Sequence, residues 1–131
     1  MKQEEKHLLL KDLCARLPYG IKASYYGAEE ECETWDEIEG ITLDGYVDIG
    51  QYTLPIERIK PYLFPLSSMT EEEETQLNDT LIQLELDALN DEIEHHKVAE
   101  FEIDFYNKNH LDYRGLIENG LANDATGLNI Y

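Results

Sequence analysis

The sequence predicts an α+β fold: an N-terminal helix, a small bent antiparallel sheet and a C-terminal helical segment. Leucines near the start follow helical spacing, short alternating runs with glycine turns fill residues 21–63, and a long helical pattern begins after residue 70. The chain has 131 residues, of which 42% are apolar, enough for one core but not for two. We therefore expect a single domain over residues 1–131, in which residues 1–65 form the helix and sheet and residues 66–131 an acidic helical half.

The first predicted element is a helix over residues 4–17. Its leucines recur at the spacing of one helical face, and a proline and a glycine then end it. These residues are Leu9, Leu10, Leu13 and Leu17, followed by Pro18 and Gly20.

The compartment is inferred from the cysteines and from the lack of long apolar runs. Cys14 lies in the leucine-rich stretch and is predicted to be a small core residue, while Cys32 lies in an acidic run that does not activate a thiol. No apolar run approaches the roughly 18 residues of a membrane helix, and we expect no secretory signal, because Leu8, Leu9 and Leu10 stand alone among Lys, Glu and Asp. We expect a cytoplasmic protein without a membrane partner.

The middle of the chain has the alternation and turn residues of short strands. The dipeptide Asp44-Gly45 accepts positive φ angles and predicts a hairpin turn, and prolines at 61 and 65 exclude a helix there. An SH3-like barrel is the closest known shape for such a sheet. The strands are expected at residues 21–26, 38–43, 46–49, 52–54 and 59–63, with one helical turn at 56–58.

A long helix is predicted over residues 71–93. Thr70 and Glu73 fit a capping box, and the acidic residues that follow Thr70 favour the positive end of the helix dipole. Its apolar residues form two stripes whose centres lie roughly 140° apart around the helix. The first stripe is Leu77, Leu81, Leu84 and Ala88, and the second is Ile82, Leu86, Leu89 and Ile93.

One helical face cannot cover both stripes. We expect the second stripe to be buried inside the same domain; the alternative is that it meets a partner chain, as in a structural homo-oligomer.

Residues 98–106 fit either a strand or a helix, and we favour a helix that extends to residue 109. Asp112 is expected to cap a short helix over residues 113–119, and residues 123–131 to be irregular.

The charge is strongly negative and unevenly distributed. Residues 1–65 hold seven cations and thirteen anions, whereas residues 66–131 hold three cations and sixteen anions, which gives −6 and −13 of the total −19. A charge of this sign disfavours direct contact with nucleic-acid phosphates and favours a protein partner with a basic surface. A DNA mimic that occupies a nucleic-acid-binding site is a sharper alternative, although acidity is also a common solubility device.

The pattern of chemically active residues does not predict an enzyme. His95 and His96 are adjacent and would point about 100° apart on a helix, which favours a polar connector over a metal site. His110, with Asp104 and Asp112 nearby in sequence, leaves a small hydrolase as an alternative. We predict no catalytic residue, no metal ligand and no cofactor.

The remaining candidate residues are aromatic side chains and one arginine. Aromatic residues in a small sheet can bind a partner peptide, although ordinary packing also places them there. The candidate partner contacts are Tyr25, Trp35, Tyr46, Tyr52 and Tyr62. Arg114 lies among many carboxylates, and we expect it to form a structural ion pair with one of them.

Three stretches resemble a known group of proteins. They are residues 8–19 (LLLKDLCARLPY), 60–70 (KPYLFPLSSMT) and 110–122 (HLDYRGLIENGLA). Together they resemble a family of short proteins from gut Bacteroidetes, their phages and mobile elements, to which no activity is assigned. The resemblance implies a bacterial or phage cytoplasmic protein and implies nothing about catalysis.

Overall fold

A computed structural model describes residues 1–25 and 34–131; Cys32 and the predicted acidic loop at residues 29–31 lie outside these residues. The α+β class is confirmed, with an N-terminal helix, a sheet and two C-terminal helices. Three short 3-10 turns lie at Leu17–Tyr19, Ile56–Arg58 and Leu66–Ser68. The helices and strands are α1 (Gln3–Arg16), β1 (Lys22–Tyr25), β2 (Thr34–Ile41), β3 (Tyr46–Ile49), β4 (Tyr52–Pro55), β5 (Ile59–Pro65), α2 (Glu71–Leu89), α3 (His96–Lys108), β6 (Leu111–Asp112) and β7 (Asn123–Asp124).

The sheet has the order β4-β3-β2-β1-β5-β6, and β7 also pairs with β5. The pairs among β1 to β5 are antiparallel, and β1 lies between β2 and β5. The expected hairpin joins β2 to β3 through a turn in which Gly45 has a φ of +90°. Thr42 N donates to Tyr46 O at 2.9 Å, which closes this turn. The SH3-like shape of the sheet stays a prediction.

Two parallel pairings make the sheet mixed rather than purely antiparallel. β6 and β7 both run parallel to β5. Asp112, predicted to cap a helix, lies in β6. The segment from residue 123, predicted to be irregular, begins with β7. The short helix expected over residues 113–119 is not formed, because Gly115 has a φ of +75° that interrupts a helix. Asp112 still binds backbone amides, and its carboxylate accepts from Leu116 N at 3.0 Å and Ile117 N at 2.9 Å.

The main core lies between α1 and the sheet. Leu9 and Leu13 of α1 are fully buried, as expected, whereas Cys14 is exposed, so its assignment to the core is wrong. Cys14 follows Leu13 directly and therefore points about 100° away from it around the helix. The sheet side of this core consists of Ile21, Ala23, Tyr25, Ile38, Val47, Ile49, Leu54, Ile56, Ile59 and Leu63.

A second, smaller core joins α2 and α3 to the edge of the sheet. It contains Leu77 of α2, Phe105 of α3 and Leu111 of β6. The predicted capping box begins α2, since Thr70 Oγ1 accepts from Glu73 N at 3.1 Å and Glu73 Oε1 accepts from Thr70 N at 3.2 Å. Helix α3 confirms the helical interpretation for residues 98–108, and Asn109 caps its end.

Candidate functional site

Three residues of the second predicted apolar stripe are exposed to solvent; the fourth, Ile93, is half-buried and lies beyond the end of α2, which stops at Leu89 and not at residue 93. Ile82, Leu86 and Leu89 are 57%, 49% and 74% exposed, whereas Leu77 and Ala88 of the first stripe are buried. The expectation that one domain buries both stripes is therefore wrong. Helix α2 packs through its first stripe against the second core, and nothing among the described residues covers the opposite side. We call Ile82, Leu86 and Leu89 the α2 stripe.

Carboxylates border the α2 stripe on both sides. Asp79 and Glu85 lie three residues before and after Ile82, which places them about 60° around the helix in opposite directions. Between residues 71 and 104 the sequence has thirteen carboxylates, and Lys97 is the single cation. The stripe is thus an apolar surface within a strongly negative field.

A shallow depression continues the stripe at the far end of α2. It has a volume of about 380 Å³ and is lined by Ala88, Leu89 and Val98, with Glu85 and His95 also at its surface. An apolar floor beside a carboxylate suits the aliphatic stem and charged head of a lysine or arginine. The depression and the stripe together form a continuous candidate contact surface.

The five aromatic residues proposed from sequence are divided between the two faces of the sheet. Tyr25 and Tyr52 share the core face, and their ring centroids lie 6.0 Å apart. Trp35, Tyr46 and Tyr62 fall on the opposite face by strand alternation. Five residues on two faces do not line one groove, and their role as partner contacts stays a prediction.

Two of these aromatic residues are accessible. Trp35 is 47% exposed and Tyr46 is 44% exposed, on different strands of the sheet. Lys22 Nζ lies 5.4 Å from the centroid of the Trp35 ring, within the range of a cation–π contact. Both residues belong to the sheet, whereas the α2 stripe lies on a helix.

Arg114 belongs to a buried charged cluster at the end of α1. Its Nε lies 3.1 Å from Asp12 Oδ1, and Arg16 Nε lies 2.8 Å from Asp12 Oδ2. Asp12 and Arg16 are fully buried, and Arg16 Nη2 donates to Leu111 O at 2.6 Å. One carboxylate thus holds two arginines and ties α1 to the segment that follows α3.

Aromatic stacking extends this cluster. The Tyr113 ring lies 5.3 Å from the Arg16 guanidinium and 4.8 Å from that of Arg114, and it stacks on Tyr106 at 5.4 Å. Burial, reinforced by a hydrogen bond to Glu102, raises the pKa of Tyr106 to about 12. These contacts make the cluster a structural joint between α1, α3 and the segment that follows β6.

Sequence reasoning missed Asp12 and Arg16, although a signal was present. Both lie on the helical face that Leu9 and Leu13 define, at spacings of three or four residues. An acid and a base four residues apart on an otherwise apolar helical face indicate a buried ion pair.

His110 lines a cleft beside the second core. Its backbone has a φ of +57°, and its ring stacks on Tyr131 with 3.6 Å between centroids and 11° between planes. Burial, followed by the charges of Arg16 and Lys22, lowers the pKa of His110 to about 4. The imidazole is therefore neutral at pH 7.

The hydrolase alternative requires His110 to meet a carboxylate and a nucleophile. Ser68 and Glu73 line the same cleft, but Ser68 Oγ donates to Pro65 O at 2.7 Å and Glu73 Oε1 accepts from Thr70. Over residues 1–25 and 34–131, no hydrogen bond joins His110 to a carboxylate, and both oxygens of Asp112 accept from backbone amides. The arrangement does not assemble a proton relay, and the hydrolase stays an unsupported prediction.

His95 and His96 lie at the start of α3. His96 Nε2 is 3.3 Å from Glu94 Oε2, and both side chains are largely exposed. In the part of the chain that the structure describes, no group of three or more His, Cys, Asp or Glu side chains could hold a metal ion. His96 and Glu94 thus make a solvent-exposed polar contact at the start of α3.

Comparisons with known proteins bring no relative. No protein family matches the chain, and no curated protein or solved structure is similar to it. Among the described helices, none has both the length and the apolar content to cross a lipid bilayer. The site must therefore be interpreted from its own geometry.

Proposed function

We propose that this protein is a non-enzymatic acidic binding or adaptor protein that docks its α2 stripe on a basic surface of another protein. The exposure of Ile82, Leu86 and Leu89 between carboxylates carries this proposal. Large apolar side chains on one helical face are the usual contact residues when a helix lies in a groove. The carboxylates would attract the basic rim of that groove and repel acidic proteins.

Charge favours a basic protein over a second copy of the chain as the occupant of this surface. Two copies that met through the α2 stripe would bring Asp79 and Glu85 of each into one interface, where like charges oppose association. A nucleic acid is disfavoured for the same reason, because phosphates require cations. A basic protein gains from both the apolar contact and the surrounding field.

The biological setting is also part of the proposal. We infer a cytoplasmic role in a bacterium, a phage or a mobile element, supported by the resemblance of residues 8–19, 60–70 and 110–122 to short Bacteroidetes proteins. The DNA mimic remains a special case in which the partner is itself a nucleic-acid-binding protein.

Site-specific photo-crosslinking tests the docking surface. A photoreactive phenylalanine analogue replaces Leu86 in one sample and Leu43 in another; Leu43 is 94% exposed in the β2–β3 turn and serves as the matched apolar control. We expect position 86 to capture a defined basic protein, and position 43 not to capture it. Equal capture from both positions would contradict the proposed surface.

Binding of the captured protein is then measured with purified components. Leu86→Glu should weaken binding at least about tenfold, as for a central contact residue, whereas Leu43→Glu should not. Higher salt should also weaken binding, because the attraction is partly electrostatic. Displacement by duplex DNA would identify a DNA mimic, and a dimer that Leu86→Glu dissociates would replace the proposal with a homo-oligomer.

A further inference from the structure

The cleft that contains His110 lies at the opposite end of the α2–α3 pair from the depression near Leu89. It has a volume of about 420 Å³ and is built by residues from β5, the start of α2, the end of α3 and the segment after β7. This volume is within the range of small-molecule sites. We propose that the cleft binds a small zwitterion that carries a flat apolar group, such as an aromatic α-amino acid.

The flat group would lie against an aromatic wall. Phe64, His110 and Tyr131 all line the cleft; the Tyr131 ring stacks on His110 and lies 5.9 Å from that of Phe64. Tyr131 is fixed in place, since its hydroxyl donates to Tyr62 O at 2.8 Å and accepts from Lys22 N at 3.0 Å. A rigid aromatic surface favours planar ligands because stacking then costs little further ordering.

Two side chains of opposite charge also line the cleft. Glu73 comes from the first turn of α2 and Lys108 from the last turn of α3. In the described part of the chain, no ion pair joins Glu73 to Lys108, and none involves either residue with another partner. Glu73 Oε1 accepts from Thr70 N and Thr70 Oγ1, and no hydrogen bond within the described residues uses Glu73 Oε2. Glu73 Oε2 can therefore receive an ammonium group, and the Lys108 ammonium a carboxylate.

A ligand of one charge would use only half of these groups. Lys108 is one of three cations in residues 66–131. A simple anion would be repelled by Glu73, and a simple cation would be repelled by Lys108. A zwitterion satisfies both side chains without a net electrostatic cost. This inference is independent of the proposed docking surface.

NMR titration tests the site with L-phenylalanine as the probe. We expect saturable shifts of the Leu111, Thr126 and Gly127 amide signals, because these residues line the cleft. Phenethylamine lacks the carboxylate and phenylacetate lacks the ammonium group, so each should bind about three- to fivefold more weakly, as expected for loss of one exposed ion pair. Glycine, which lacks the ring, should not produce saturable shifts.

Two charge-removing variants then test whether Lys108 and Glu73 contact the ligand. Lys108→Gln should abolish the preference for L-phenylalanine over phenethylamine, because the ligand carboxylate then has no cation to contact. Glu73→Gln should abolish the preference for L-phenylalanine over phenylacetate, because the ligand ammonium group then has no anion to contact. Gln at position 73 preserves the capping box. Lys97→Gln is the matched control, since Lys97 is a surface cation paired with Glu100. The amide spectrum of each variant shows whether it is folded. Absence of saturable shifts, shifts elsewhere on the protein, or equal binding of L-phenylalanine and phenethylamine would overturn the proposal.

Discussion

Removal of the Asp12 carboxylate is the most direct test of how this fold is held together. Asp12 is fully buried and contacts Arg16 at 2.8 Å and Arg114 at 3.1 Å. In Asp12→Ala, the fully buried Arg16 guanidinium loses its only carboxylate partner among the described residues. Loss of one member of a buried ion pair costs about 3–5 kcal/mol, because the remaining charge is uncompensated.

The assay is urea unfolding followed by circular dichroism. We expect Asp12→Ala to lower the free energy of unfolding by about 3–5 kcal/mol and the melting temperature by about 10–20 °C. Asp79→Ala, at an exposed position of α2, is the matched control and should leave the midpoint nearly unchanged. A loss below about 1 kcal/mol in Asp12→Ala would refute the view that the cluster is a buried electrostatic joint.

Arg114 allows the cluster to be dissected further. Arg114→Ala should cost less, about 1–2 kcal/mol, because Arg114 is 18% exposed and Arg16 still neutralises Asp12. The double variant with Asp12→Ala should be non-additive by at least about 0.5 kcal/mol, since the two residues share a contact. Additive losses would show that Arg114 stabilises the fold through its other contacts alone.

Three further perturbations have defined outcomes. Gly50→Ala should lower the free energy of unfolding by more than about 1 kcal/mol, because Gly50 has a φ of +59° and an added Cβ would clash with Tyr25 Oη. An unchanged urea midpoint would contradict this. Thr70→Ala should lower the free energy of unfolding by about 1 kcal/mol, because the N-cap of α2 is lost. Thr75 is exposed within the same helix, so Thr75→Ala is the control and should not have this effect. Equal urea midpoints of the two variants would argue against capping. The free energy of unfolding should fall as the pH drops from about 6.5, the ordinary histidine pKa, to about 4, the pKa of His110 in the folded protein. In this range the histidine binds a proton in the unfolded chain but stays neutral in the folded one, so acid favours unfolding. His110→Phe keeps a flat ring and should reduce this slope in urea titrations at several pH values; an identical slope would exclude His110 as its source.

Local structure was predictable wherever neighbouring residues decide it. The capping box at Thr70, the turn at Gly45 and the helical state of residues 98–108 all follow from local hydrogen bonding, backbone freedom or periodicity. The segment after Asp112 shows the limit. A capping residue was recognised, but Gly115 adopts a positive φ and the chain forms turns in place of a helix.

The sequence alone determined that α2 has two apolar stripes and that its half of the molecule is the more acidic, because periodicity and charge are properties of the residues themselves. Only the tertiary structure decided that Ile82, Leu86 and Leu89 face solvent, since exposure depends on which elements pack against a helix. It likewise decided that Asp12 meets Arg114, residues separated by 102 positions along the chain. Long-range packing sets such contacts, and no local pattern in a single sequence encodes them.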